Sequence, residues 1–136
     1  AKLIGESEEL EPEKLYILRT AAIVHDIGIK ISEKKYGSSG GKYQEKEGPA
    51  VAEPMLCALG YDEAVIDRVL FLIAHHHTYT GIEGEDYQIL VEADFLVNLF
   101  EDGSSRETAE KVRENIFKTK TGMKYLETLF LTERRS

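Results

Sequence analysis

The sequence is poor in cysteine, in long apolar runs and in positive charge. Cys57 is the only cysteine, so no disulfide can form within the chain, and the lack of a secretory segment adds to the expectation of a reducing, cytoplasmic environment. The longest apolar run, residues 69–74, is far too short to span a membrane, so we expect no membrane partner. The net charge of -8 disfavours binding to a nucleic acid polymer or to anionic lipid.

The residues that are present predict a helical protein. The length of 136 residues suits one domain, and 42% apolar with 31% charged residues is typical of a soluble globular chain. Helical periodicity runs through most of the sequence, with no strand-like alternation, internal repeat or low-complexity stretch. We predict an all-α bundle of five or six helices. The main ones cover about residues 12–27, 47–59, 62–76 and 87–101, and "VLFLIA" in the third predicts that this helix is central.

Three further segments carry interpretable signals. Residues 31–44 contain "YGSSGGKY", the composition of a loop that is either functional or a flexible surface excursion. A C-terminal helical extension is predicted over residues 104–136, where Ser104 and Glu107 form a capping-box signature. The chain opens with "AKLIG" and has no initiator methionine, which we interpret as the tail of a helix from a longer parent chain.

Histidine and aspartate are concentrated on the apolar sides of three predicted helices. All four histidines fall in two clusters, one formed by His25 with Asp26 and the other by residues 75–77. Asp94 lies among apolar residues in "LVEADFLVNLF". Imidazole and carboxylate together suit a divalent transition metal or magnesium. Consecutive helical residues point about 100° apart, so the three adjacent histidines cannot all face inward, and His76 and His77 are the inward candidates.

Each of these residues also has a purely structural interpretation. Asp26 can face water in the last turn of its helix, and His25 can be a hydrogen-bonded core histidine. Asp94 can form an ion pair with an arginine such as Arg19 or Arg68. A helical bundle without a metal then requires a separate partner for every one of these groups.

Three motifs together resemble the HD superfamily of metal-dependent phosphohydrolases. They are "VHDIG" at 24–28, "LIAHHHTYTG" at 72–81 and "LVEADFLVN" at 90–98, and the resemblance covers about residues 10–101. It implies an HD-domain-like helical bundle, with a single HD domain over residues 1–136 that lacks its N-terminal helix. It also implies that His25, Asp26 and Asp94 bind one divalent metal ion, which can be Mn, Fe, Ni, Co, Zn or Mg. The family's first histidine ligand would precede Ala1.

The same resemblance implies a reaction and a substrate class. The expected function is hydrolysis of a small phosphorylated molecule such as a nucleotide, with His76 and His77 as catalytic residues. His75, Lys30 and Gln44 are the expected substrate contacts. Gln44 stands where two-metal members of the superfamily have a histidine, so we expect a single metal.

A second function remains open on the sequence. Some members of the superfamily use a lysine or glutamate at the position that Ile29 occupies here. The alternative is therefore a non-catalytic HD domain that binds a metal or nucleotide and regulates a partner or acts as a scaffold. A homodimer is a further expectation.

Overall fold

The computed structural model describes residues 1–38, 40–103 and 105–131, and these fold into helices joined by short turns. Eight α-helices and one π-helical turn are present among the described residues. In chain order they are α1 (Lys2–Ser7), α2 (Pro12–Val24), α3 (Ile29–Tyr36), α4 (Gly41–Ala58), α5 (Glu63–His75), α6 (Glu85–Glu101), α7 (Arg106–Asn115), α8 (Lys120–Leu126) and the π-helical turn Glu127–Leu131. The predicted all-α class is confirmed.

The described residues contain more helices than the predicted five or six, because α1 and α3 were not in the predicted set. The long loop predicted at residues 31–44 was wrong over most of its length. Residues 29–36 form α3, which ends at Gly37 with φ 67°, a left-handed cap that favours glycine. Lys34 and Lys35 lie in its last turn, where positive charge suits the helix dipole. Helix α4 then begins at Gly41, several residues earlier than predicted, and continues through two internal prolines. The glycines of this segment therefore separate two helices.

The main core lies where α2, α4, α5 and α6 pack together. Fully buried side chains from α2, α5 and α6 include Leu18, Val69, Leu72, Ile73 and Ile89. Three of these belong to the "VLFLIA" stretch of α5, which agrees with its predicted central position. None of the described helices combines the length and the hydropathy that a membrane span requires.

Close packing at Gly48 brings the end of α2 against α4 and α5. A Cβ atom on Gly48 would lie 2.6 Å from Cγ2 of Ile73, and one on Gly28 would lie 2.9 Å from the backbone nitrogen of Gly48. Neither position has room for a side chain, so the backbone of Gly28 contacts that of Gly48, and Gly48 in turn packs on the side chain of Ile73. This contact places the turn that follows α2 beside the end of α5.

The C-terminal helices form a smaller cluster around Leu99, Ala109, Phe117 and Leu126. Helix α7 is capped by Ser105, whose hydroxyl accepts a hydrogen bond from the backbone of Thr108. The capping box was predicted one residue earlier, at Ser104, which lies outside the described residues.

Candidate metal centre

Three elements bring the histidine and aspartate clusters together. Helix α2 ends at Val24 rather than at residue 27, so His25 and Asp26 lie in the turn between α2 and α3. His76 and His77 follow directly on the last residue of α5. Asp94 projects from the middle of α6. The site therefore gathers residues that lie far apart in the sequence.

The first group of possible metal ligands consists of His25, Asp26 and Asp94, which we call the His25 trio. Nε2 of His25 lies 3.2 Å from Oδ2 of Asp26 and 3.3 Å from Oδ1 of Asp94. One ligand atom from each of the three residues lies within 4.8 Å of the others. This spacing can accommodate a metal ion among the three.

The second group consists of Asp26, His76 and His77, which we call the His76 trio. Its ligand atoms also lie within 4.8 Å of one another. Oδ1 of Asp26 lies 3.8 Å from Nε2 of His76, whereas Oδ2 faces His25. Asp26 thus belongs to both trios and presents a different oxygen to each.

Hydrogen bonds to the backbone fix the ring orientation of two histidines. Nδ1 of His25 donates to the carbonyl oxygen of Ala22 at 2.7 Å, and Nδ1 of His76 donates to that of Ile73 at 2.7 Å. A neutral imidazole that carries its proton on Nδ1 has its lone pair on Nε2, the atom that each ring directs toward Asp26. A backbone partner at one ring nitrogen is the usual arrangement of a metal-binding histidine.

His76 shows that this donor set fits a metal ion. Its side chain is fully buried, and its Nε2 has no hydrogen-bond partner among the described residues. An unpaired buried polar atom costs about 1–3 kcal/mol. Here the unpaired lone pair faces the carboxylate of Asp26, and two acceptors repel each other unless a cation lies between them. A metal ion bound by both groups removes both costs.

The charges at the site are strongly coupled in the absence of metal. Burial lowers the pKa of His25, but hydrogen bonds to the carboxylates of Asp26 and Asp94 outweigh it and raise the pKa to about 10. The hydrogen bond from His25 is the largest cause that holds the pKa of Asp26 far below its usual range. Without metal, the His25 trio therefore binds a proton, and a metal cation can replace that proton.

The turn that carries the histidines, residues 75–78, is held from two sides. The buried carboxylate of Glu45 on α4 accepts hydrogen bonds from the backbone of His77 at 3.0 Å and from the hydroxyl of Thr78 at 2.7 Å. The hydroxyl of Tyr87 on α6 lies 2.8 Å from the carbonyl oxygen of His75 and 2.5 Å from that of Thr78. These contacts set the direction of the His76 and His77 rings.

His77 is surrounded by polar groups of its own. Its Nε2 lies 3.3 Å from Oε1 of Gln44, and its Nδ1 lies 3.4 Å from the hydroxyl of Tyr79. Burial, followed by the neighbouring His76, lowers the pKa of His77, so its ring is neutral at pH 7. A Cβ atom on Gly41 would lie 2.8 Å from the His77 ring, so the start of α4 is in direct contact with this histidine.

A cavity of about 250 Å³ opens beside the His25 trio. Its lining includes His25, Asp26 and Asp94, together with Asn98 and Glu101 from the following turns of α6. The side chain of Asp26 is 48% exposed, so one ligand of the site is accessible from solvent. The trio can therefore meet a small molecule without any rearrangement of the helices.

Two of the residues expected to contact substrate lie apart from both trios. The ring of His75 stacks on Phe71 with 4.3 Å between ring centroids, and its Nδ1 donates to the carbonyl oxygen of the same residue. Lys30 is exposed on α3. Gln44, the third, is buried against His77.

The alternative in which Arg68 neutralises Asp94 does not match the contacts of Arg68. Arg68 instead donates to both carboxylate oxygens of Asp86, at 2.9 and 2.7 Å, and pairs with Glu83. Asp94 has a side chain that is 11% exposed, and its contact is with His25.

Sequence reasoning missed several residues that surround the site. Lys42, Thr78, Tyr79 and Tyr87 had no assigned role, and Lys42 belongs to the segment that was predicted as a loop. A helical interpretation of "GKYQEKEG" would have placed Lys42 and Glu45 one turn apart on α4. No local pattern indicates that this turn meets the end of α5.

Comparison of the chain with protein-family models, with curated proteins and with solved structures gave no match.

Proposed function

We propose that this protein is a metal-dependent phosphohydrolase that acts on a nucleotide or another small phosphoester. The observation that carries the proposal is the buried, unpaired Nε2 of His76, which faces a carboxylate that is shared with the His25 trio. A buried lone pair opposed to a carboxylate is explained by a bound cation. The cavity beside the trio gives a small molecule access to that cation.

In this proposal, His25, Asp26 and Asp94 hold one divalent metal ion. The mixture of one imidazole and two carboxylates suits Mn, Fe, Ni, Co, Zn or Mg without selecting one of them. When bound, such an ion polarises a phosphoryl oxygen and lowers the pKa of a coordinated water. The two carboxylates on a protein of net charge -8 otherwise repel a phosphate group, so the ion also provides the charge that substrate binding requires.

The proposed catalytic residues are His76 and His77. The Nε2 atom of His76 faces the second oxygen of Asp26, and the hydrogen bond from its Nδ1 to the carbonyl of Ile73 fixes the ring. His77 is neutral at pH 7 and has Gln44 at one ring nitrogen and Tyr79 at the other. A neutral imidazole in this position can take up a proton at Nδ1 and return it.

The substrate contacts divide into near and distant residues. Gln44 is a proposed substrate contact because it adjoins His77. His75 and Lys30 were expected in the same role, but they belong to neither trio, so a larger substrate would be needed to reach them. The cavity volume of about 250 Å³ instead suits a small group.

Metal content is the first test of the proposal. Mass spectrometry of protein that was purified without chelator and then loaded with manganese or nickel should find about one ion per chain. Asp94→Asn removes one ligand and should lower the apparent affinity for the ion at least about tenfold. Asp67→Asn, on the exposed side of α5, is the matched control and should retain wild-type metal content.

Turnover is the second test. Metal-loaded protein is screened against nucleotides and generic phosphoesters, with release of phosphate as the readout. Cleavage that is lost in Asp94→Asn and retained in Asp67→Asn supports the proposal. Equal metal content in wild type and Asp94→Asn, with equal turnover, would overturn the assignment of the site.

The alternative function is that of a non-catalytic domain that binds a metal or nucleotide and regulates a partner or serves as a scaffold. Gln44 favours it, because a buried amide in contact with His77 is a weaker metal ligand than an imidazole. Ile29 also favours it, because an apolar side chain stands where some superfamily members use a lysine or glutamate. Thermal stabilisation by a nucleotide without any turnover would favour this alternative. The cytoplasmic location and the homodimer remain predictions.

A further inference from the structure

We propose that Lys42 and Tyr79 form an oxyanion subsite beside His77, in which the ammonium and the phenol hydroxyl bind phosphoryl oxygens of the substrate. The inference rests on the proposed function, since it names the residues that receive the phosphate group. Lys42 lies outside the sequence motifs, and Tyr79 lies within one of them but had no assigned role.

Lys42 is held at the histidine turn by a buried anchor. Its Nζ lies 3.1 Å from Oε1 of Glu45 and 2.9 Å from the hydroxyl oxygen of Thr78. The side chain of Glu45 is only 8% exposed, whereas that of Lys42 is 76% exposed. An ammonium group has three donors. The two contacts leave a third donor directed away from the anchor, on a side chain that solvent and ligand can reach.

Tyr79 supplies a second donor next to the same turn. Its hydroxyl lies 3.4 Å from Nδ1 of His77, and its ring packs on Phe95 with 5.0 Å between centroids. Phe95 follows Asp94 on α6, so this packing anchors the tyrosine to the helix that carries Asp94. The 3.4 Å separation is long for a hydrogen bond that involves a hydroxyl, so the group can redirect its proton to a closer anion.

The charges of the region explain why a phosphate group needs this subsite. Asp26, Asp94 and Glu45 all lie close to the histidines, and each repels an anion. Lys42 offsets the charge of Glu45. A charge-assisted hydrogen bond to a phosphate oxygen is roughly twice as strong as a neutral one. The ammonium of Lys42 therefore attracts the phosphate group next to the His76 trio.

The experiment measures binding of inorganic phosphate to the metal-loaded protein by isothermal titration calorimetry. The variants are Tyr79→Phe, which removes a single oxygen atom, and Lys42→Met, which removes the ammonium. We expect each to weaken phosphate binding about tenfold or more while the metal content stays at the wild-type level. Lys42→Arg keeps a cation and should recover part of the loss.

The matched control for the lysine is Lys35→Met. Lys35 also pairs at 3.1 Å with a buried glutamate of α4, Glu47, whose other partner is the hydroxyl of Tyr36 rather than the histidine turn. Loss of either lysine removes the ion-pair partner of one buried carboxylate, which keeps its other hydrogen bonds, so general destabilisation affects both variants alike. The control for the tyrosine is Tyr16→Phe, since Tyr16 is likewise half-exposed and stacked on a ring, that of Tyr61.

Both outcomes of the binding experiment are decisive. Absence of phosphate binding in the wild type overturns the subsite, and so does wild-type affinity in both Tyr79→Phe and Lys42→Met. Weakened binding in these variants, with normal binding in the two controls, supports it. The phosphoester screen separately tests hydrolysis. A protein that binds phosphate through Lys42 and Tyr79 but cleaves no phosphoester retains the subsite and loses the proposed function.

Discussion

At the scale of single residues, the site depends on which ring nitrogen of each histidine is free. Nδ1 of His25 and Nδ1 of His76 each donate a hydrogen bond to a backbone carbonyl within the preceding turn. Both residues present Nε2 to Asp26. The rings cannot exchange these roles without breaking a bond to the backbone. A single carboxylate is thereby placed between two fixed imidazoles, which is the property that distinguishes Asp26 from an ordinary residue at a helix end.

Metal binding should therefore release a proton. The pKa of His25 is about 10 in the metal-free protein, because its bonds to Asp26 and Asp94 outweigh the effect of burial. A metal ligand must be deprotonated, so the ion displaces this proton at pH 7, and the apparent metal affinity should rise up to about tenfold per pH unit below the raised pKa. Calorimetric titration in buffers of different ionisation enthalpy measures the number of protons released.

The same shift predicts how the stability of the metal-free protein depends on pH. A raised pKa stabilises the folded state fully below the unfolded value of 6.5, and this contribution is lost as the pH rises through about 10. The unfolding free energy attributable to His25 should fall across that window. His25→Gln serves as the control, since it has no proton to release. Metal binding at pH 7 without proton release in the wild type would contradict the raised pKa of His25, on which both predictions rest.

At the scale of helices, buried glutamates connect elements that are distant in the sequence. Glu45 joins α4 to the end of α5, and Glu92 joins α6 to the start of α8. Oε2 of the fully buried Glu92 accepts hydrogen bonds from the backbone of Lys118 and Thr119 and from the side chain of Gln88. The carboxylate thus supplies the acceptors that the backbone N–H groups preceding α8 require.

Replacement of Glu92 should destabilise the fold. Glu92→Gln keeps the shape but loses the charge, and we expect a cost of about 1–3 kcal/mol. Glu92→Ala leaves buried donors unpaired and should cost about 3–5 kcal/mol. Urea unfolding measures both. Glu110→Gln, at an exposed ion pair of α7, should change the unfolding free energy by less than about 1 kcal/mol. Equal unfolding midpoints for Glu92→Gln and Glu110→Gln would refute this role.

At the scale of the whole molecule, a cation at the site joins three separate parts of the chain. The two trios take ligands from the turn after α2, the end of α5 and the middle of α6. A ligand that binds only the folded state stabilises it according to its concentration relative to its dissociation constant. The net charge of -8 adds to this effect, because a divalent cation reduces the repulsion within the folded chain.

Metal should therefore raise the melting temperature of the whole protein. At a free concentration of about 100 times the dissociation constant, the gain is about 2.7 kcal/mol, which corresponds to roughly 10 °C for a chain of this size. Scanning calorimetry with and without manganese or nickel measures the shift. Asp94→Asn should lose most of it. A shift of equal size in this variant would show that the ion binds elsewhere.

The sequence by itself determined the helical class and the exceptional polar residues. Periodicity is a local property, so the apolar stripe of α5 and the positions of His25, Asp26 and Asp94 in apolar surroundings could be found without a structure. Local signals failed at residues 31–44. In that segment the glycines predicted a loop. The helices that flank residues 37–40 are instead stabilised by tertiary contacts such as that of Gly28 with Gly48.

Only the tertiary structure decided which polar groups meet. The sequence left His76 and His77 as equal inward candidates, whereas the structure buries His76 fully and gives His77 the polar partners Gln44 and Tyr79. It also gave Glu45 a partner 33 residues away, in Thr78. A buried charge must find its partner in space, and the chain separation of that partner leaves no periodic trace in the sequence.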